Sequence, residues 1–155
     1  MKILLKQLLV PTDFSKQSDV ALTHAVALAE QFDASLHLLH VVESVVAAET
    51  LPSNVGLQHD LDEVVVSTAW DELHGLLSPE DRRRLHTEFA LEWGSPFVEI
   101  VRYAESHAID LIAMGTHGRG GVKHLLLGSV AEHVVRSSPC PVLTVRDSAR
   151  AFVRP

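Results

Sequence analysis

The sequence predicts one α/β domain over residues 1–155: a doubly wound, five-stranded parallel sheet with helices on both faces. Three observations predict it. Short apolar runs alternate with segments of helical period along the chain. The second run, Ser35–Val42, is nearly continuous in apolar residues, as a strand covered on both faces is. A glycine-rich stretch separates the fourth run from the last helical segment, which is where α/β folds place anion-binding loops.

The elements follow in order. Leu8–Val10 ends a first strand, and Pro11-Thr12-Asp13 turns out of it. Ser15 or Ser18 can cap a helix reaching about Phe32, with Val20, Ala21, Ala25, Leu28 and Phe32 at helical spacing. Ser35–Val42 is a second strand. Residues 43–59, containing Pro52, Ser53, Asn54 and Gly56, read as a long loop. Leu61–Leu77 is a second helix, and Ser78-Pro79-Glu80 can start one more helical turn with proline at its first position. His86–Trp93 is a third strand. Gly94-Ser95-Pro96 opens a helix to about His107, with Phe97, Ile100, Val101 and Ala104 on one face. Ile109–Met114 is the fourth strand, Ser129–Ser137 the last helix and Val142–Arg146 the fifth strand.

Composition narrows the function classes. Hydrophobic residues make up 46% and charged residues 21%, an ordinary globular balance. Twenty acidic against 13 basic residues give a formal net charge of -7, which argues against a nucleic-acid binder. Arg82-Arg83-Arg84 is the one basic run and reads as a solvated helix end. The single cysteine, Cys140, excludes an intrachain disulfide and reads as a small packing residue. Lys6 and Gln7 interrupt the apolar start, and no run approaches the roughly 18 apolar residues of a membrane span. The expected location is cytoplasmic, without membrane insertion.

Between Gly115 and Ser129 the chain reads Gly-Thr-His-Gly-Arg-Gly-Gly-Val-Lys-His-Leu-Leu-Leu-Gly-Ser. Glycines let the backbone approach an oxyanion, and free N–H groups at a helix N-terminus point at it. His117, Arg119, Lys123 and His124 make the loop basic within an acidic chain. Two well-known nucleotide motifs do not match. A P-loop needs Lys-Ser/Thr after its second glycine, and here Gly120 is followed by Gly121-Val122. A dinucleotide fingerprint needs a third glycine where Lys123 stands. A ligand-free reading also exists: Ser129-Val-Ala-Glu132 fits a capping box.

The whole Gly115–Ser129 pattern resembles the nucleotide signature of the universal stress protein family, in its ATP-binding branch. Leu9-Val-Pro-Thr-Asp-Phe-Ser15 is similar to that family's first strand and turn, and Ser138-Pro-Cys-Pro-Val-Leu-Thr-Val145 to its last strand. The resemblance runs from about Gln7 to Arg146. It implies the strand order 3-2-1-4-5, which puts Asp13 and Gly115 at the carboxyl ends of neighbouring strands, at the switch point where α/β sheets bind ligands.

The resemblance also implies roles. Asp13 would accept hydrogen bonds from ribose hydroxyls or an adenine amino group, with Pro11 and Thr12 shaping the wall; from local sequence alone it is equally a turn residue before the first helix. Val41 matches the position whose backbone reads the adenine edge, and Met114 would line the base pocket. Gly115, Gly118, Gly128 and Ser129 would hold the phosphates, with His117 and Arg119 beside them and Val130 following. Some relatives carry another hydroxyl residue where this chain has Val130 and Ala131, a departure that weakens the phosphate contacts, so the ligand expected is ATP or else AMP or ADP.

The ten histidines do not cluster: His37 and His40, three apart on a strand, point to opposite faces. A Mg²⁺ carried by the nucleotide is the metal expected, not a dedicated site. No paired carboxylates, Gly-x-Ser-x-Gly elbow or Cys–His signature supplies a nucleophile with its base. The leading expectation is therefore a nucleotide-binding regulatory protein of the stress response, not an efficient enzyme. The alternatives are a slow ATPase or nucleotide transferase, and a dimeric interaction module whose glycine loop is structural. The resemblance further implies a homodimer through the edge strand 142–146.

Overall fold

The structure, a computed structural model, describes residues 3–43, 55–118 and 127–146. Strands β1 (Gln7–Thr12), β2 (Ser35–Val42), β3 (Glu88–Trp93), β4 (Leu111–Gly115) and β5 (Val142–Val145) form one parallel sheet in the order β3-β2-β1-β4-β5. The expected α/β class and strand order are both observed. The connecting helices are α1 (Lys16–Phe32), α2 (Val55–Gly75), α3 (Pro79–Arg84), α4 (Pro96–Ser106) and α5 (Ser129–Ser137).

The central strands are apolar at successive positions because both faces are covered. Leu8, Val10, Leu36, Leu38 and Ala113 belong to one core cluster, with Ala25 and Ala29 of α1 and Leu73 of α2. Leu9, Leu39, Val41, Ile112 and Met114 belong to a second, with Ile100 and Tyr103 of α4 and Val134 of α5. Each fully buried Leu contributes about 1.5–3 kcal/mol relative to exposure. The small side chains of Ala21, Ala25 and Ala29 let α1 lie close on the sheet.

Local signals set most element ends. Ser15, not Ser18, caps α1: the Ser18 N–H donates to Ser15 Oγ at 3.3 Å, and Ser18 itself is buried. Ser78 caps α3 in the same way, followed by Pro79. β3 starts at Glu88, not at His86, whose φ of 45° takes the chain out of α3. β4 starts at Leu111, not at Ile109: Asp110 Oδ2 accepts the N–H groups of Lys6 at 2.7 Å and Gln7 at 2.9 Å, so this residue ties β1 to β4 by its side chain. β5 ends one residue earlier than expected.

One expectation and one alternative reading need correction. α2 begins at Val55, inside the segment read as loop. Its Ala69 and Leu73 dock on the core, and helix growth from a docked half adds one backbone hydrogen bond per residue, so it runs past Gly56. The remainder of that loop, residues 44–54, lies outside the described residues. Ser129 is not a capping-box residue either: Gly128 is the N-cap of α5, with no side-chain cap bond, and Ser129 is the first helical residue.

Candidate functional site

β1 and β4 pair at Leu8↔Leu111 and Leu9↔Ile112 near their starts. Beyond those pairs the chain leaves β1 toward α1, and leaves β4 toward the glycine loop. A cavity of about 570 Å³ opens at these carboxyl ends, at the point where the strand order reverses. Pro11, Thr12 and Asp13 line it from β1 and its turn, and Val41 from β2. Met114, Gly115, His117 and Gly118 line it from β4 and beyond. Gly128, Ser129 and Val130 contribute the start of α5. Every expected site residue within the described part of the chain therefore meets here. Arg119 lies outside the described residues, as do Lys123 and His124.

The Asp13 turn is built by short polar contacts. The Ser15 N–H donates to Asp13 Oδ1 at 3.1 Å, and the Phe14 N–H to Thr12 Oγ1 at 3.0 Å. Ser18 Oγ–H donates to the Ser15 carbonyl at 2.7 Å, so the Thr12 hydroxyl is the donor in its 3.1 Å contact with Ser18 Oγ. Thr12 is thereby buried with its hydroxyl satisfied as donor and acceptor. Phe14 takes a φ of +60°, a left-handed conformation that costs a non-glycine residue about 1–2 kcal/mol.

On the other wall the glycines leave room for close approach. A β-carbon on Gly118 would stand 2.5 Å from Asp13 Oδ2. One on Gly115 would stand 3.0 Å from the backbone of Gln17, so this glycine lets the first turn of α1 settle on β4. The Gly128 N–H donates to the Thr116 carbonyl at 2.7 Å and the Thr116 N–H to the Val145 carbonyl at 3.0 Å. These bonds tie the end of β4, the start of α5 and β5 together around the cavity. The first N–H groups of α5 lack acceptors within the helix and carry its positive end.

Several lining residues had no signal in the sequence. Pro96 and Ile100 arrive from α4, Leu39 and Val42 from β2, and Glu43 from just beyond it. Thr116 was hidden inside the glycine pattern, where its burial and two backbone bonds make it structural. His40 adjoins Val41 and reaches the cavity, while His37 is buried against α4, so the two histidines do face opposite ways. Among the described residues, no group of three or more His, Cys, Asp or Glu is placed to hold a metal ion, and no helix is long and apolar enough to cross a membrane.

The groups with displaced pKa values lie away from this cavity. Burial lowers the pKa of His37, against the opposing pull of Glu88. His37 Nε2–H donates to Gln7 Oε1 at 2.7 Å and Nδ1 accepts from the Tyr103 hydroxyl at 3.0 Å, a pairing that suits the neutral ring. Burial, with Glu88 and Glu92 nearby, pushes Tyr103 up to about 12.

The comparisons with known proteins bear on the family and the fold. The universal stress protein family model matches residues 5–146. Universal stress protein MJ0531 of Methanocaldococcus jannaschii is 39% identical over 155 residues, covering 92% of this chain and 83% of that one. The structure of universal stress protein UspA from Lactobacillus plantarum superposes with a TM-score of 0.78 at 26% identity, covering 94% of this chain and all of that one. A universal stress protein solved in complex with cAMP shares the fold at a TM-score of 0.59 and 23% identity, covering 92% of this chain and 98% of that one. A match over this span, in sequence and in fold, assigns the chain to a family: it is a member of the universal stress protein family.

Proposed function

We propose that this chain binds an adenine nucleotide in the cleft between β1 and β4 and acts as a regulatory protein of the stress response. The observation that carries the reading is the meeting of the Asp13 turn with the two ends of the glycine loop around one cavity. The Asp13 carboxylate accepts from ribose hydroxyls or the adenine amino group, and the backbone of Val41 meets the base edge beside Met114. The phosphates lie along Gly118, Gly128 and Ser129, where the Ser129 hydroxyl and the N-terminal amides of α5 donate to their oxygens. ATP, ADP and AMP all fit this chemistry. Among the described residues, Asp13 and Glu43 are the carboxylates that line the cavity. A Mg²⁺ would travel with the phosphates, as this ion commonly does.

Binding shifts the protein between states rather than driving efficient turnover; the Thr116 hydroxyl, 3.1 Å from His117 Nδ1 at the cavity, belongs to a buried residue that ties β4 to α5 and β5. The same reading includes a homodimer through β5, the edge strand of the sheet among the described residues, since an edge suits a self-complementary interface. Calorimetry with ATP and Mg²⁺ tests the core of the proposal. Micromolar-range binding is expected, together with an adenine nucleotide retained through purification and visible by mass spectrometry. No heat and no thermal shift at millimolar ATP would refute it. A malachite-green assay of the same samples separates binding from slow hydrolysis.

A further inference from the structure

The turn that carries Asp13 is held from outside its own strand. The left-handed φ of Phe14 is a conformation that persists only where the surroundings over-determine it. The Thr12 hydroxyl supplies one restraint, through the Phe14 N–H. His40 of β2, the register partner of Thr12, supplies two more. Its ring lies against the Phe14 ring, with centroids 4.4 Å apart and planes tilted by 33°. Its Nδ1 stands 2.8 Å from the Thr12 carbonyl oxygen. A carbonyl only accepts, so the proton sits on Nδ1 and His40 donates. One side chain thus grips the turn on both sides of Asp13: the carbonyl before it and the ring after it. Asp13 Oδ1 is fixed in turn by the Ser15 N–H, on the far side of Phe14. The direction of the carboxylate therefore follows the Phe14 backbone.

We propose that His40 is a positioning residue of the nucleotide site, which aims the Asp13 carboxylate through Thr12 and Phe14 without itself needing to touch the ligand. This inference rests on the nucleotide reading above. Removing the ring and its donor frees the turn to relax toward ordinary backbone angles, which swings the carboxylate off the ligand.

The test is a double-substitution cycle on the full chain, titrated with ATP and Mg²⁺ by calorimetry, with a melting curve for each protein. His40→Leu removes the donor and the ring contact; His40→Phe keeps an aromatic ring and removes only the donor. The expected losses in affinity are about tenfold for His40→Leu and about fivefold for His40→Phe, the size of one lost hydrogen bond. In an Asp13→Asn background both losses should shrink to less than about twofold, because the carboxylate they aim is gone. A generally weakened fold would not produce that coupling. If His40→Leu does not fold, the His40→Phe cycle decides on the same criterion. Unaltered affinity in the His40 variants, or a loss that persists in full beside Asp13→Asn, overturns the inference while leaving the nucleotide reading intact. No binding by the unaltered chain overturns both.

Discussion

Gly118 has no side chain where Asp13 has its carboxylate: a β-carbon at Gly118 would lie 2.5 Å from Asp13 Oδ2, against the 3.4 Å or more of an ordinary contact. The two residues belong to turns at the ends of neighbouring strands, and each occupies space the other leaves. Gly118→Ala must therefore displace either the carboxylate or the glycine loop. ATP affinity should fall about tenfold, equivalent to about 1.4 kcal/mol. Gly118 is exposed, so the melting temperature should barely move. Calorimetry beside a melting curve checks both halves; undiminished affinity would mean that this contact lies outside the binding site.

Asp13→Ala separates recognition of the nucleoside from recognition of phosphate. The carboxylate is assigned to the ribose and base, while the α5 amides and the glycine loop are assigned to the phosphates. The variant should lose at least about tenfold for AMP or ATP, the scale of hydrogen bonds to a charged group. It should lose little for pyrophosphate. Equal losses for the two ligands would make Asp13 a structural residue of the turn.

The dimer can be tested without touching the core. The carbonyls of Pro141 and Val145 accept from Ile112 and Thr116 of the β4 side. Backbone groups alternate in direction along a strand, so the N–H of Thr144 points to the free edge. Thr144→Pro deletes that donor on an edge strand, where proline is tolerated. Light scattering at tens of micromolar should show a dimer for the unaltered chain and a shift toward monomer for the variant, with similar far-ultraviolet circular dichroism. Val145→Asp cannot report on assembly, because Val145 is 4% exposed and a charge there would enter the monomer's own core. A monomeric unaltered chain would remove the edge-strand dimer altogether.

Acid should destabilise the fold through His37. Its pKa is lowered in the folded state, first by burial, so below the unfolded value of 6.5 the unfolded chain binds more protons than the folded one. The contribution of His37 is fully present above pH 6.5 and is lost as pH falls from there through the folded pKa. Melting temperature should drop between pH 7.5 and 5.0, and His37→Gln should flatten that slope. An unchanged slope would assign the acid sensitivity to other groups.

Much of this protein is legible along its chain. The apolar runs at Leu8–Val10 and Ser35–Val42, the Ser15 cap and the Ser78-Pro79 start rest on interactions among residues close in sequence. Steric and hydrogen-bonding preferences of that range act before any tertiary contact forms. The glycine spacing from Gly115 to Ser129 is legible for the same reason, since close backbone approach is a property of the residue type. Strand order was not: periodicity says that a strand is covered on both faces, never which strand lies beside it, and the order was expected from family resemblance alone.

Local signals also misplaced or missed features that depend on distant partners. Ser129-Val-Ala-Glu132 has the pattern of a capping box, yet the N-cap is Gly128, tied to the Thr116 carbonyl, and the helix spans Ser129–Ser137 as expected. Asp110 looks like a loop residue until β1 lies beside it and presents two N–H groups. His40 gave no functional sign, because its hydrogen bond and its ring contact are made with residues 28 and 26 positions away. A chain specifies its own local geometry through short-range sterics and caps. Which side chains converge on one cavity is set by burial of both sheet faces, which joins Asp13 to Gly118 across 105 positions of sequence.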